Sequence, residues 1–414
     1  MRPSLKAPAM LAAGAALSVM GAALVVATPT TSEGSAAKNY TYTFVSSPDF
    51  LNTDVGDVAG APGYAAWKPN STNSSYRDAL AYVLHAFKAE GPQDVLVAGD
   101  LVQGHWGKDT EHTGTFGPVS DDTKRRAAVK AAAAVYFRQW KSRFNSRDLD
   151  VHAALGDHDI GDNPWDAHKN AYAAFKQRNV ALFKSLFHKY VTGPNGYAVH
   201  PSGPAAGTAY AVRLDPDVLL VTVDVFQRTT DNVAIRIDPQ QLAWLDTVLA
   251  RADANGVKWI FVQGHTPVIG PVRKQQSSGL TYYGGAKSGF WHTMARHHVD
   301  LYLCGEVHAT TAIHDNATGI TQICHGGLFD FGLTTYLTGR VYADGSRIDL
   351  DTTGFDFTSS LEYDRTARLW QTDMNSTKPP EVIAYSNPHT TGRMTLTSDN
   401  TVVSRSGMLG VYTP

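Results

Sequence analysis

Two hydrophobic rhythms alternate along residues 40–308. Short apolar runs are each stopped by glycine: Asp94-Val-Leu-Val-Ala-Gly99, Val151-His-Ala-Ala-Leu-Gly156, Trp259-Ile-Phe-Val-Gln-Gly264 and Leu301-Tyr-Leu-Cys-Gly305. Such runs are too short for helices and too continuously apolar for half-exposed strands, so they predict strands buried on both faces. Tyr40 to Ser47 alternates aromatic and β-branched residues and predicts an earlier strand leading into Pro48-Asp49. Between the strands, apolar residues recur at helical spacing. Leu80, Val83, Leu84 and Phe87 mark a helix over Ser75 to Glu90, and the Ala-rich stretch Thr123 to Phe144 a second. A third covers Trp165 to Tyr190. Asp238-Pro239 opens a fourth, with Leu242, Leu245 and Leu249 on one face and Asn255-Gly256 closing it. A short helix is expected near Ser288 to His297.

Two strands are expected within Thr208 to Phe226, turned at Asp215-Pro216-Asp217, and loops over Asn52 to Asn73 and Leu101 to Asp121. Beyond Ala309 the pattern becomes mostly β, with hairpin turns at Asn316 to Gly319, Ala343 to Ser346 and Ser398 to Asn400. The alternating part argues for helices packed on sheets, and the β-rich end for a second sheet facing the first.

Composition narrows the class. Of 414 residues, 43% are hydrophobic and 18% charged, as in ordinary globular proteins. Lys plus Arg (36) nearly balances Asp plus Glu (38), so there is no basic field that would indicate nucleic acid. Lys124-Arg125-Arg126 reads as a solvated helix face. Arg2 and Lys6 precede an apolar run from Ala9 to Ala27 and a polar stretch ending in Ala36-Ala37. This is the order of a secretory signal peptide, taken as residues 1–37, cleaved after Ala27 or Ala37. An uncleaved N-terminal anchor is the alternative; otherwise the mature chain is expected to carry no integral span. The two cysteines, Cys304 and Cys324, are open to two readings: a disulfide, as export permits, or two buried thiols.

The chemistry lies at the strand ends. Each glycine-stopped run is followed by polar residues with metal-ligand chemistry: Asp100, then Asp157-His158-Asp159, then His265, then Glu306-Val-His308. One such tip is ordinary turn chemistry. Four of them, at the sheet edge where α/β proteins bind ligands, describe a metal site assembled from loops.

The ordered set Gly99-Asp100, Gly156-Asp157-His158-Asp159, Gly264-His265 and Gly305-Glu306-Val307-His308 resembles the calcineurin-like metallophosphoesterase superfamily. That family shows an early Asp-x-His, then Gly-Asp, Gly-Asn-His-Asp/Glu, Gly-His and Gly-His-x-His. The resemblance spans roughly residues 40–350. It implies a four-layer α/β/β/α sandwich of two mixed sheets flanked by helices, with residues 38–350 as the catalytic domain. Residues 351–414 are then a β-rich extension that either completes the sandwich or is appended to it. It implies a phosphoesterase acting on a small phosphate mono- or diester through a hydroxide bridging two divalent metals. Asp100 takes the bridging position; Asp157, His265 and Glu306 serve one metal, and Asp49 and His308 the other. His158 takes the place of the leaving-group acid, with Asp159 either orienting it or acting as a loop carboxylate. His105 is a candidate substrate contact, whereas His292, His297 and His298 are expected to face solvent.

Three departures from the family pattern matter. The first block reads Asp49-Phe-Leu-Asn52-Thr-Asp54, with no histidine, so Asn52 is assigned as the replacement ligand and Asp54 is the other choice. Asp157 stands in place of an amide, and Glu306 in place of an imidazole. The proposed ligands then carry four carboxylates, an oxygen-rich set that favours manganese or iron, with zinc possible. Gln103 occupies a position where purple acid phosphatases carry Tyr and protein phosphatases Asp, so neither subfamily is indicated. The alternative is a non-catalytic metal-stabilised or cell-surface binding protein that reuses the fold.

Overall fold

A computed structural model of the chain describes residues 39–49, 58–63, 74–108, 114–274, 277–327, 335–359, 362–364, 369–371 and 383–410. The expected signal peptide, Asn52 and Asp54 lie outside these residues. All the described residues fall in one compact unit, Asn39–Pro414.

The elements run β1 (Tyr40–Ser46), α1 (Ser74–Ala89), β2 (Asp94–Val97), α2 (Asp122–Asn145), β3 (Asp150–Ala153), α3 (Ala171–Phe187), β4 (Tyr210–Asp215) and β5 (Val218–Thr222). There follow β6 (Phe226–Arg228), β7 (Val233–Ile235), α4 (Pro239–Ala254), β8 (Trp259–Gln263), α5 (Gly289–Arg296), β9 (Leu301–Cys304), β10 (Thr311–His314) and β11 (Thr321–Cys324). The chain continues with β12 (Thr335–Tyr342), β13 (Arg347–Ser359), β14 (Glu362–Asp364), β15 (Leu369–Gln371), β16 (Ile383–Thr397) and β17 (Val402–Gly407).

Two large mixed sheets result. One has seven strands in the order β17-β16-β13-β12-β1-β2-β3; the other has six, in the order β10-β11-β9-β8-β5-β4. Between them lies a buried layer drawn from both: Phe44 and Leu96 from the first, Leu220, Phe261 and Leu303 from the second, with Leu337 and Ile348 completing it. The outer faces carry the helices. On the first sheet Val45, Val95 and Val97 belong to the same core as Leu80, Val83 and Phe87 of α1. On the second, Ile260 and Val262 share it with Leu245 and Leu249 of α4. This is the four-layer sandwich, and it explains why the central runs are apolar throughout: their strands face a sheet on one side and helices on the other. Strands β13, β16 and β17 belong to the seven-stranded sheet, so much of residues 351–414 extends it. Among the described residues no helix is long and apolar enough to cross a membrane.

Two expectations need correction. Residues 165–170 are not helical; Asn170 caps α3 instead, its side chain accepting from the Ala173 amide at 2.8 Å. His297 does not face solvent: its Nδ1 meets Asp253 at 2.6 Å and its Nε2 meets Asp246 at 2.8 Å, tying the end of α5 to α4. His292 and His298 are exposed, as expected.

Cys304 and Cys324 form a disulfide. They are register partners on the parallel neighbours β9 and β11, and both are fully buried. The bond closes a loop with a sequence separation of 20 residues, so its loss should cost about 3 kcal/mol through denatured-state entropy. Denaturant titration of a Cys304→Ala/Cys324→Ala variant should show that loss, and wild type under reducing conditions should show the same; a loss in the alanine variant that reduction does not reproduce would assign the sulfurs to packing alone.

Candidate active site

The parallel strands β1, β2 and β3 of one sheet and β8 and β9 of the other end at the same edge of the sandwich. Asp49 follows β1, Asp100 follows β2, Asp157 follows β3, His265 follows β8, and Glu306 and His308 follow β9. The structure brings all six together. Hydrogen bonds stitch the sheets at this edge, among them His265 Nδ1–H donating to the Ala98 carbonyl at 2.8 Å and the Glu306 amide donating to Asp49 Oδ1 at 3.0 Å.

The glycines before the ligands are explained by space. A Cβ on Gly156 would stand 2.1 Å from Asp100 Oδ1, and one on Gly305 would stand 2.8 Å from Asp49 Oδ2. Each glycine leaves room for the carboxylate of a neighbouring strand. The backbone is strained here as well. Among the described residues nine non-glycines have positive φ, and Asp49, Asp100, Asp162, Glu306 and His308 are five of them.

His265 is at the centre. Its Nε2 lies 3.0 Å from Asp157 Oδ1, 3.4 Å from Asp100 Oδ2, 3.6 Å from Glu306 Oε2 and 3.9 Å from Asp49 Oδ1, and the imidazole is fully buried. His308 Nε2 lies 3.6 Å from Asp49 Oδ1 on the other side. Four buried carboxylates around so few cationic groups make a strongly negative pocket, and the titration behaviour follows. Burial pushes Asp49 up to about 6. Burial and the nearby Asp157 push Glu306 up to about 7. The surrounding carboxylates, Asp100 first, overcome burial and hold His265 well above the usual imidazole range. Asp157 is resisted by burial but is held below the usual carboxylate range by the His265 hydrogen bond and the nearby His158. Among the described residues, Asp49 Oδ2 is buried with no hydrogen-bond partner. Carboxylate oxygens and imidazole nitrogens suit divalent first-row cations, and an orphaned carboxylate oxygen among like charges is what such a cation would satisfy.

Among the described residues the donors fall into four overlapping groups close enough to hold an ion: Asp49, Asp100 and His265; Asp100, Asp157 and His158; Asp157, His265 and Glu306; and, at the rim, His105, His158 and Asp162. Asp100 is shared by the first two.

His158 stands at the rim. Its Nδ1–H donates to the Gln103 carbonyl at 2.9 Å, which leaves Nε2 facing the carboxylates, 3.8 Å from Asp100 Oδ2. Burial would lower its pKa, but Asp100, Asp162 and Asp157 together push it up to about 10. Asp159 does not take the orienting place on Nδ1. It is fully buried and accepts from the amides of Gly156, Asp100 and Leu101 at 2.8, 3.1 and 3.1 Å, so it fixes the two loops that carry the ligands. His105 lies beside His158, with ring centres 5.9 Å apart. Its Nε2 meets Asp162 Oδ2 at 2.8 Å, and burial lowers its pKa to about 4.

Three supporting residues escaped the sequence analysis. Asp162 holds His105, Asn163 donates to Asp157 Oδ2 at 3.3 Å, and Ser278 donates to Glu306 Oε1 at 2.5 Å. Asp162 and Asn163 had a weak signal, since Asp-Asn-Pro follows the His158 block directly. Ser278 had none.

No curated protein matches the chain. Among solved structures, that of PhoD is 12% identical with a TM-score of 0.49, covering 91% of this chain and 74% of that one. GAP50, the anchor in the inner membrane complex of Plasmodium, is 13% identical with a TM-score of 0.41, covering 76% and 84%. The family model for calcineurin-like phosphoesterases matches residues 53–310, more than half of the sequence and all of the ligand-bearing strand ends after β1. The chain therefore belongs to the calcineurin-like phosphoesterases and is a metal-dependent hydrolase of phosphate esters.

Proposed function

We propose that this is an exported enzyme that hydrolyses small phosphate mono- or diesters at a centre holding two divalent metal ions. The observation that carries the reading is Asp100, a buried carboxylate whose two donor groups join Asp49 on one side to Asp157 on the other. Asp49 and His308 would serve the ion on one side of it, with Asn52 as a further oxygen ligand; Asp157, His265 and Glu306 would serve the other. When bound, such a pair supplies charge for the phosphoryl oxygens and lowers the pKa of a water held between them.

The protein's own groups do the rest. The Ala98 carbonyl fixes the His265 tautomer and turns Nε2 inward. Asp159 holds the Asp100 loop against the Asp157 loop. The Gln103 carbonyl aims His158 Nε2 at the site, where a proton held on it can pass to the leaving oxygen. His105, held by Asp162, lines the same rim and would contact the substrate. Export rests on the basic, apolar and small-residue order of residues 1–37.

Purified protein should contain two metal ions per chain and hydrolyse a generic phosphodiester, its monoester or both. Because the second group is rich in carboxylate, manganese or iron should support the fastest turnover, with an optimum on the alkaline side. Glu306→His, which removes one negative charge and adds a nitrogen donor, should move the preference toward zinc and the optimum downward. Fewer than two ions and no turnover on either ester would instead favour a non-catalytic protein. A zinc-loaded enzyme fastest at acidic pH would defeat the charge argument while sparing the family.

A further inference from the structure

Glu306 is gripped from outside the proposed ligand set. The chain leaves His265 at the end of β8 and runs over residues 267–288 before α5. The loop is anchored near its start by the Val268 and Ile269 amides, which donate to Gln322 Oε1 at 2.8 and 2.9 Å. It is anchored near its end by the Tyr282 amide on the Pro267 carbonyl at 2.9 Å and by the Tyr282 hydroxyl, which accepts from the Ile237 amide at 3.1 Å. Between these anchors Ser278 and Leu280 converge on one atom. Ser278 Oγ donates to Glu306 Oε1 at 2.5 Å, and the Leu280 amide donates to the same oxygen at 2.9 Å. The intervening Gly279 has φ +73, the left-handed turn that lets a side chain and the amide two residues on point the same way. Glu306 is 3% exposed, and its other oxygen, Oε2, faces His265 Nε2 at 3.6 Å.

We propose that Ser278 is a positioning residue that makes Glu306 a one-oxygen ligand. With Oε1 occupied by two donors, only Oε2 is offered to a cation, so the carboxylate imitates the single donor atom of an imidazole. This rests on the metal-centre reading above and adds what the loop does to it. A carboxylate free to turn both oxygens inward suits larger, loosely coordinated cations such as calcium, whereas a one-point ligand suits smaller ones. The loop would therefore set metal choice.

The test is metal binding by the metal-stripped full chain, read by chelator competition with manganese alone and with calcium alone. Ser278 is exposed and the Leu280 amide still donates to Glu306 Oε1, so Ser278→Ala should leave the metal-free protein folded, with at most a small drop in melting temperature. Manganese affinity should fall about tenfold, as for other groups that orient a ligand, while calcium affinity holds or rises. Ser278→Thr, which keeps the hydroxyl, should restore the wild-type ratio. An unchanged manganese-to-calcium ratio in Ser278→Ala, or an equal loss for both ions that threonine does not repair, would overturn the inference. A wild type that binds neither ion would overturn the metal-centre reading itself, and this inference with it.

Discussion

Asp100→Asn is expected to abolish hydrolysis and strip the site of metal while leaving the fold intact. The amide keeps the size of the carboxylate and can still accept the His158 amide, which donates to Asp100 Oδ1 at 3.0 Å. What it loses is a negative charge common to two donor groups. Two divalent ions a few ångströms apart repel strongly in a buried site, and a shared carboxylate is the most direct compensation. Groups that merely orient a ligand already cost roughly ten- to a hundredfold in affinity or activity. Loss of the shared ligand should exceed that range in both turnover and metal content. The metal-free variant should also melt no lower than metal-free wild type, because one of four crowded carboxylates has gone. Full metal content together with full turnover would remove Asp100 from the centre.

The residues that carry this prediction were legible because close packing imposed a pattern on the sequence. Gly156 and Gly305 are glycines because carboxylates of the neighbouring strands occupy their Cβ positions. That constraint writes Gly-Asp and Gly-Glu directly after an apolar run, where it can be read. The sandwich was legible for a similar reason, since strands such as Asp94–Val97 and Trp259–Gln263 are buried on both faces and show no alternation. What escaped were contacts between segments with no periodic relation. Ser278 reaches Glu306 across 28 residues that include α5 and β9, and Asp162 reaches His105 across 57. His297 was misplaced because helical spacing on α5 says nothing of Asp246 and Asp253 waiting on α4. Asp159 was ambiguous because the same carboxylate could face a side chain or cap amides, and only the fold brings three amides to it.

His158→Ala should separate chemistry from metal binding. The substitution removes the ring but keeps the backbone amide that steadies Asp100 Oδ1, and Asp49, His265 and Glu306 still complete donor groups with Asp100 and Asp157, so metal content should stay at the wild-type level. The ring's place points to an acid. Its Nδ1–H is committed to the Gln103 carbonyl, which leaves Nε2 facing the site, and the nearby carboxylates of Asp100, Asp162 and Asp157 favour a proton on the ring. Loss of a general acid costs roughly a hundredfold or more in rate, or about 3 kcal/mol of barrier. The cost should depend on the leaving group. An alkoxide departs poorly without a proton, whereas a nitrophenolate departs without one, so the variant should be most impaired on alkyl esters and least on nitrophenyl esters. The pH profile adds a second reading. Wild-type turnover of alkyl esters should decline as pH rises through the pKa of His158, because the acid form is then lost; the variant should lack that limb. If kcat falls by the same factor across the leaving-group series and the limb persists, His158 binds phosphate and does not deliver the proton.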